Sequence, residues 1–361
     1  IIGVISTWES KCGIATYSKH LLSEFDDEYI IFSPKNVNNQ QDESIRCWDL
    51  GNDELNELLE HILSKHVTSI LIQFNYGFFD FKYFSKFIKR LNKNNIKILI
   101  ILHSTIDPEN DISKQLKYLS EELSLCHRLL VHTPSDLNRL KSLGLIDNVT
   151  LFPHGILELD NYDRKNDYSQ YSNQELHFST FGFCLPNKGF NELIHAIKIL
   201  HNKNINCRLT LYTSLYDASI SNELFNNLKL LICDLKLTQF VHIDPSFLSD
   251  EEIFSYLSST DLVIFPYQST NESASGAVRQ AISSLAPVAV TPVPIFDDVL
   301  DVVYRLPGCS SSSLADGLIQ WVNDFYGLPL NQNEINWRKE HSFKILANRL
   351  KGIIRSLEIN Y

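Results

Sequence analysis

Short runs of β-branched and aliphatic residues recur along this chain, separated by longer stretches whose apolar residues repeat at helical spacing. That alternation restricts the fold more than any other feature. Parallel strands need a long crossover, usually a helix, so strand and helix in regular succession describe parallel sheets covered by helices. Strands are predicted at 1–6, 29–33, 68–74, 96–102, 128–132 and 149–152, then at 176–181, 208–212, 241–243, 262–266 and 288–291. Between the two series, 154–174 loses periodicity and fills with Asp, Asn, Ser and Tyr, as a connection between domains does. The fold class is α/β: two Rossmann-like domains at 1–153 and 175–335, the linker 154–174, and a closing amphipathic helix within 336–361. A chain of 361 residues is about right for two such cores.

Charge and cysteine usage narrow the function. A net charge of −11 argues against a nucleic-acid partner, whose binding needs a basic face that neutralises phosphates. Seven cysteines are scattered without the close pairs of zinc or redox sites, which fits a reducing cytoplasm. No apolar run reaches the roughly 18 residues that cross a bilayer, and no secretory leader is legible. A cytoplasmic protein is the expectation.

In open α/β sheets ligands collect at the carboxyl ends of the strands, which directs attention to the loops 7–17, 75–79, 103–108, 182–189, 212–216 and 268–276. In the first series these hold the Gly13-Ile14-Ala15-Thr16-Tyr17 turn, Asn75 and Tyr76, and His103 directly after an apolar strand. The segment from Phe181 through Gly182, Phe183 and Lys188 to Phe190 leaves a strand and enters a helix at 191–200, with Lys188 at the helix mouth. Unsatisfied N–H groups and the positive end of the helix dipole favour an anion there, and an ammonium adds charge for a phosphate. A solvated lysine in a turn would also explain Lys188. The stretch 261–279 is more informative: a buried strand ends in a polar loop that presents Glu272. The small residues Ser275, Gly276 and Ala277 then open a helix whose bare backbone a ligand can approach, with Arg279 nearby.

The segments 182–189 and 272–279 together resemble the donor site of family 4 glycosyltransferases, a retaining family of the GT-B fold. The Gly13–Tyr17 turn, the His103 loop, Val131-His132-Thr133-Pro134-Ser135, Phe152-Pro153-His154-Gly155 and Phe247-Leu248-Ser249-Asp250 fall in the order that family uses. The resemblance implies two sheets facing a central cleft and a C-terminal helix closing back on the N-terminal domain. It implies a metal-independent hexosyltransferase that needs no cofactor, since the nucleotide-sugar, UDP- or GDP-linked, is a substrate. The acceptor would be a hydroxyl of a glycan or lipid-linked molecule, in surface polysaccharide synthesis. Lys188 would contact the donor phosphates, Glu272 the hydroxyls of the transferred sugar, and the backbone at Ser275, Gly276 and Ala277 the diphosphate. His103, with Lys188 and Glu272, would form the catalytic set, while Gly13, Ile14, Tyr17, Asn75 and Tyr76 would serve the acceptor.

Two positions depart from the family pattern. Phe183 stands where an arginine is common, and Gln280 where a second glutamate holds the ribose. Gln280 can still hydrogen-bond a ribose hydroxyl, and Arg279 is expected to supply the charge Phe183 lacks. Both departures keep open a catalytically silent nucleotide-sugar-binding module, and the same donor site also suits a sugar-nucleotide hydrolase or epimerase. A nicotinamide dehydrogenase is disfavoured by the missing Gly-x-Gly-x-x-Gly turn.

The segment 81–94 interleaves Lys82, Lys86, Lys89, Arg90 and Lys93 with Phe81, Phe84, Phe87, Ile88 and Leu91, without one acid. A helix packed on a sheet with a solvated outer face accounts for this pattern, and so does peripheral contact with an anionic membrane at its inner face.

Overall fold

The computed structural model describes residues 1–35, 43–158, 175–216, 219–329 and 332–359; most of the expected linker therefore lies outside the described residues. The chain divides into two compact units. The first comprises Ile1–Gly155, Asn271–Ala274 and His341–Tyr361, the second Ile156–Thr270 and Ser275–Glu340.

The first unit is a seven-stranded sheet in the order β3-β2-β1-β4-β5-β6-β7, every pair parallel. Its strands are β1 (Ile2–Ile5), β2 (Tyr29–Pro34), β3 (Ile45–Trp48), β4 (Ser69–Phe74), β5 (Lys97–Leu102), β6 (Arg128–Val131) and β7 (Val149–Leu151). All of β4 and nearly all of β5 are buried, as parallel strands covered on both faces must be. Helices α1 (Gly13–Ser23), α2 (Asn56–Ser64), α3 (Phe81–Lys93), α4 (Ser120–Ser124) and α5 (Pro134–Ser142) connect them. In α3, Phe81, Phe84, Phe87, Ile88 and Leu91 all point into the core, and Asp80 caps the first turn by accepting from Tyr83 N at 3.1 Å.

The second unit is a six-stranded parallel sheet, β10-β9-β8-β11-β12-β13. Its strands are β8 (Leu176–Phe183), β9 (Cys207–Ser214), β10 (Val241–Asp244), β11 (Leu262–Phe265), β12 (Val288–Val290) and β13 (Tyr304–Arg305). Its helices are α6 (Phe190–Asn202), α7 (Ser219–Asp234), α8 (Asp250–Ser258), α9 (Gly276–Ser283), α10 (Ser311–Asp324) and α11 (Gln332–Glu340). Side chains alternate along β11: Leu262 and Ile264 enter one apolar cluster with Leu193 and Trp321, Val263 and Phe265 another with Val278 and Phe296. Helices therefore cover both faces.

The closing helix expected as one piece is two. α11 ends at Glu340, and α12 (Phe343–Ile359) starts afresh after buried Ser342, whose carbonyl accepts from Leu346 N at 3.1 Å and whose hydroxyl accepts from Ile345 N at 3.4 Å. α12 belongs to the first unit, where it packs on α1 and Lys351 pairs with Asp26 at 2.8 Å. Among the described residues no helix is long and apolar enough to cross a membrane.

Both strand orders reverse direction once, between β1 and β4 in the first sheet and between β8 and β11 in the second. At such a switch point the loops at the carboxyl ends diverge and leave room for a ligand. The loops after β8 and β11 carry the Lys188 turn and the Ser275 helix mouth.

Candidate active site

In the second unit the two switch-point loops interlock. β8 runs two residues further than the sequence suggests, so Gly182 and Phe183 lie in the strand, Phe183 in register with Ser214. Gly182 has φ +139°, and a Cβ there would stand 3.8 Å from the Ala277 Cβ and 4.0 Å from the Tyr267 hydroxyl. At Gly189, φ +75°, a Cβ would fall 1.7 Å from the Pro266 carbonyl oxygen, so only glycine lets the Lys188 turn close on the end of β11. Gln268 N donates to Asn187 O at 2.8 Å, tying the loops directly.

This close approach places the charge. The Lys188 ammonium stands 4.0 Å above the centre of the Tyr267 ring, a cation–π contact that fixes a side chain otherwise rich in rotamers. The Tyr267 hydroxyl lies 3.4 Å from the Ser275 hydroxyl, and Ser275 caps α9 by accepting from Val278 N at 3.3 Å. The first-turn N–H groups of Gly276 and Ala277 have no intrahelical acceptor, as at any helix start. Lysine, helix mouth and small residues thus form one anion-accepting surface.

Arg279 has a different place from the one its sequence position suggested. It is 2% exposed, ion-paired with Asp298, and its Nη1 donates to Ser275 O at 3.1 Å. Its charge is compensated inside the unit, and its link to the helix mouth runs through the Ser275 carbonyl. Gln280 Nε2 donates to Asp250 Oδ1 at 2.7 Å, so a carboxylate stands beside the amide at the position where the resemblance expects a glutamate.

The first unit gathers the other candidates. His103 Nε2 lies 2.7 Å from Gln73 Oε1, and its Nδ1 lies 3.4 Å from His132 Nε2. His132 Nδ1 is 3.0 Å from the Phe152 carbonyl, which only accepts, so Nδ1 carries a proton and donates. Gln73 Oε1 only accepts, so the neutral His103 carries its proton on Nε2 and donates it there, leaving its Nδ1 facing His132 Nε2 across 3.4 Å with no proton between them. Burial and the neighbouring His132 hold His103 well below the usual histidine range, keeping it neutral. Tyr17 sets its ring edge-on to His103, His132 and His154 at 5.0, 5.6 and 4.8 Å. His103 is held by its bond to Gln73 and by the surrounding rings, and the imidazole expected among the catalytic groups is a neutral, fixed ring.

The segment Asn271–Ala274, which carries exposed Glu272, is pinned on each side of that residue. Ser104 Oγ donates to Asn271 O at 2.5 Å, Ser273 N to His103 O at 3.2 Å, and Ser273 Oγ to Asp136 Oδ1 at 2.9 Å. Asp136, 2% exposed, also accepts from Thr105 Oγ1 at 2.6 Å and Arg139 Nη1 at 3.1 Å, and forms a capping box with Thr133 at the start of α5. The remaining expected positions line the same end of the first sheet. Gly13 opens α1 with open space around it, Ile14 packs against the core, Asn75 Oδ1 accepts from Gly77 N at 2.9 Å, and the Tyr76 hydroxyl donates to Asp107 at 2.8 Å. Burial and Asp107 push the Tyr76 phenol far up, so it stays protonated.

Tyr267, Asp136 and Asp298 escaped the sequence reading, and Asp250 entered it only within the Phe247-Leu248-Ser249-Asp250 segment, without a role. The signal for Tyr267 was its place at the end of a buried strand; the three aspartates show their partners only in three dimensions.

The two parallel sheets of seven and six strands, with the C-terminal helix returned to the first unit, define the GT-B fold. The same fold is seen in sucrose-phosphate synthase from Thermosynechococcus elongatus (TM-score 0.78, 15% identity, 100% of this chain and 99% of that chain covered). It is seen equally in a glycosyltransferase from Rickettsia africae (0.77, 15%, 100% and 99%) and in Anabaena HepE, solved in complex with UDP-glucose (0.73, 12%, 99% and 99%). No protein-family model matches the chain, and no curated protein matches it in sequence.

Proposed function

We propose that this chain is a retaining, metal-independent glycosyltransferase of the family 4 type, transferring a hexose from a UDP- or GDP-sugar to a hydroxyl of a glycan or lipid-linked acceptor. The observation that carries the proposal is the interlocked pair of switch-point loops in the second unit, where Lys188 stands on Tyr267 beside the Ser275 helix mouth. When the sugar departs, negative charge accumulates on the β-phosphate, and an ammonium with oriented N–H groups stabilises it where it forms. The UDP-glucose complex of HepE, which shares the fold, supports a nucleotide-sugar as the donor.

The other residues divide by chemistry. Glu272 accepts from hydroxyls of the transferred sugar, and its pinned backbone holds that carboxylate in place. The Gln280–Asp250 pair takes the ribose, the amide orienting the carboxylate that replaces the family's second glutamate. Arg279 acts on the diphosphate by holding the Ser275 carbonyl. His103 is a positioning residue: its carbonyl fixes the Glu272 segment, and its neutral ring, with Tyr17, Asn75 and Tyr76, shapes the acceptor side. Retention and a cytoplasmic role in surface polysaccharide synthesis rest on the family resemblance. A thermal-shift screen of UDP-, GDP- and ADP-sugars tests the reading, because a ligand that binds the native state alone raises its melting temperature. A rise with at least one UDP- or GDP-sugar is expected; no response to any of them would refute the proposal.

A further inference from the structure

Three aromatic rings gather at the carboxyl end of the second sheet, outside the phosphate-facing groups. They come from adjacent strands in the order β10-β9-β8: Phe247 from the loop after β10, Tyr216 from the loop after β9, and Phe183 from the last position of β8. The Phe183 ring centre lies 5.5 Å from that of Tyr216, edge-on, and 6.2 Å from that of Phe247, with planes 30° apart. Tyr216 remains 44% exposed and Phe247 47%. The supporting backbone is fixed: Ser221 Oγ accepts from Tyr216 N at 3.0 Å and donates to Cys184 O at 2.7 Å. Exposed aromatic clusters on a fixed frame, at the ligand end of a sheet, mark binding surfaces rather than core.

We propose that Phe183, Tyr216 and Phe247 form the stacking platform for the nucleobase of the donor, an assignment that rests on the donor-site reading above. The same β8–α6 connection carries Phe183 at its start and Lys188 at its end. A ligand that engages both must present a flat apolar ring at one end and an anion at the other, which describes a nucleoside diphosphate. Phe183 stands where the family pattern carries an arginine; on this account that position reads a ring instead of a phosphate. Stacking uses the π-face that every base has, so the platform contributes affinity to uridine and guanosine nucleotides alike.

The test is calorimetric titration of the wild type and of a Phe247→Ala, Tyr216→Ala double variant with UDP, GDP and inorganic pyrophosphate. Both rings are exposed, so the variant should melt as the wild type does, and Phe247→Tyr should keep wild-type affinity. The expected result is about a tenfold weaker affinity of the double variant for the nucleoside diphosphate that the wild type binds, with pyrophosphate affinity unchanged. Unchanged nucleotide affinity, or an equal loss for pyrophosphate, would overturn the platform and leave the glycosyltransferase reading standing. A wild type that binds neither nucleotide would overturn both.

Discussion

Replacing Arg279 separates a phosphate ligand from a structural cation. The guanidinium side chain is 3% exposed and its partner Asp298 13%, so solvent screens the pair little. Arg279→Ala leaves the Asp298 carboxylate buried without its counter-charge, and removing one partner of a buried ion pair costs about 3–5 kcal/mol. The variant also loses the bond from Nη1 to Ser275 O. For a unit of this size each kcal/mol lowers the melting temperature by roughly 2–4 °C, so a fall of about 10 °C is expected. Urea unfolding followed through Trp321 and Trp337, in a background with Trp8→Phe and Trp48→Phe, reports on the second unit alone. The paired Arg279→Met, Asp298→Leu variant should recover most of the loss, because an apolar pair of similar volume removes the stranded charge. A wild-type urea midpoint in Arg279→Ala would refute the reasoning, as would a paired variant no more stable than the single one.

Three further outcomes follow from the first unit. Ser273→Ala removes a hydrogen bond to the Asp136 carboxylate, worth about 1.5–3 kcal/mol, and should lower turnover about tenfold or more while nucleoside diphosphate affinity stays put; an equal loss of nucleotide binding would place Ser273 elsewhere. His103 has a depressed pKa in the folded state, so the unfolded chain takes up its proton first: stability is full above the unfolded value near 6.5 and falls as pH drops below it. In His103→Gln the loss between pH 7 and 5, read by urea unfolding, should be shallower, and an unchanged slope would contradict the neutral ring. On α3, Lys89 pairs with Glu122 at 2.7 Å, whereas Lys82, Lys86 and Lys93 stay exposed. If α3 meets anionic lipid at about 1 kcal/mol per basic residue, wild type should sediment with anionic vesicles at low salt and Lys82→Gln, Lys86→Gln, Lys93→Gln should not; absence of wild-type binding leaves an ordinary solvated helix.

Periodicity carried far in this chain because the central strands are long, apolar and bounded by polar turns, as in β4 and β5. It failed where tertiary pairing supplies what local pattern lacks. β3 reads Ile-Arg-Cys-Trp and is held by pairing with β2 and by the bond from Trp48 Nε1 to Phe32 O at 3.1 Å, and β13 is a two-residue edge. The break before α12 was hidden because Ser342 looks like any polar residue in an amphipathic run. At the candidate site the glycines and the small-residue helix mouth were legible, since backbone demands restrict residue type. Partnerships between distant segments were not: Lys188 with Tyr267, Arg279 with Asp298, and Ser273 with Asp136 each join residues whose separation has no period.

The central claim, that the Lys188 turn and the Ser275 helix mouth hold the donor's diphosphate, is tested most directly by one comparison. Calorimetric titration of wild type and Lys188→Ala with the nucleoside diphosphate that wild type binds measures that contact alone. Lys188 lies at a partly exposed turn, so the variant should melt with the wild type. A charge-assisted contact contributes about 1.5–3 kcal/mol, which predicts a dissociation constant raised about tenfold or more. Equal affinity in the two proteins would contradict the account.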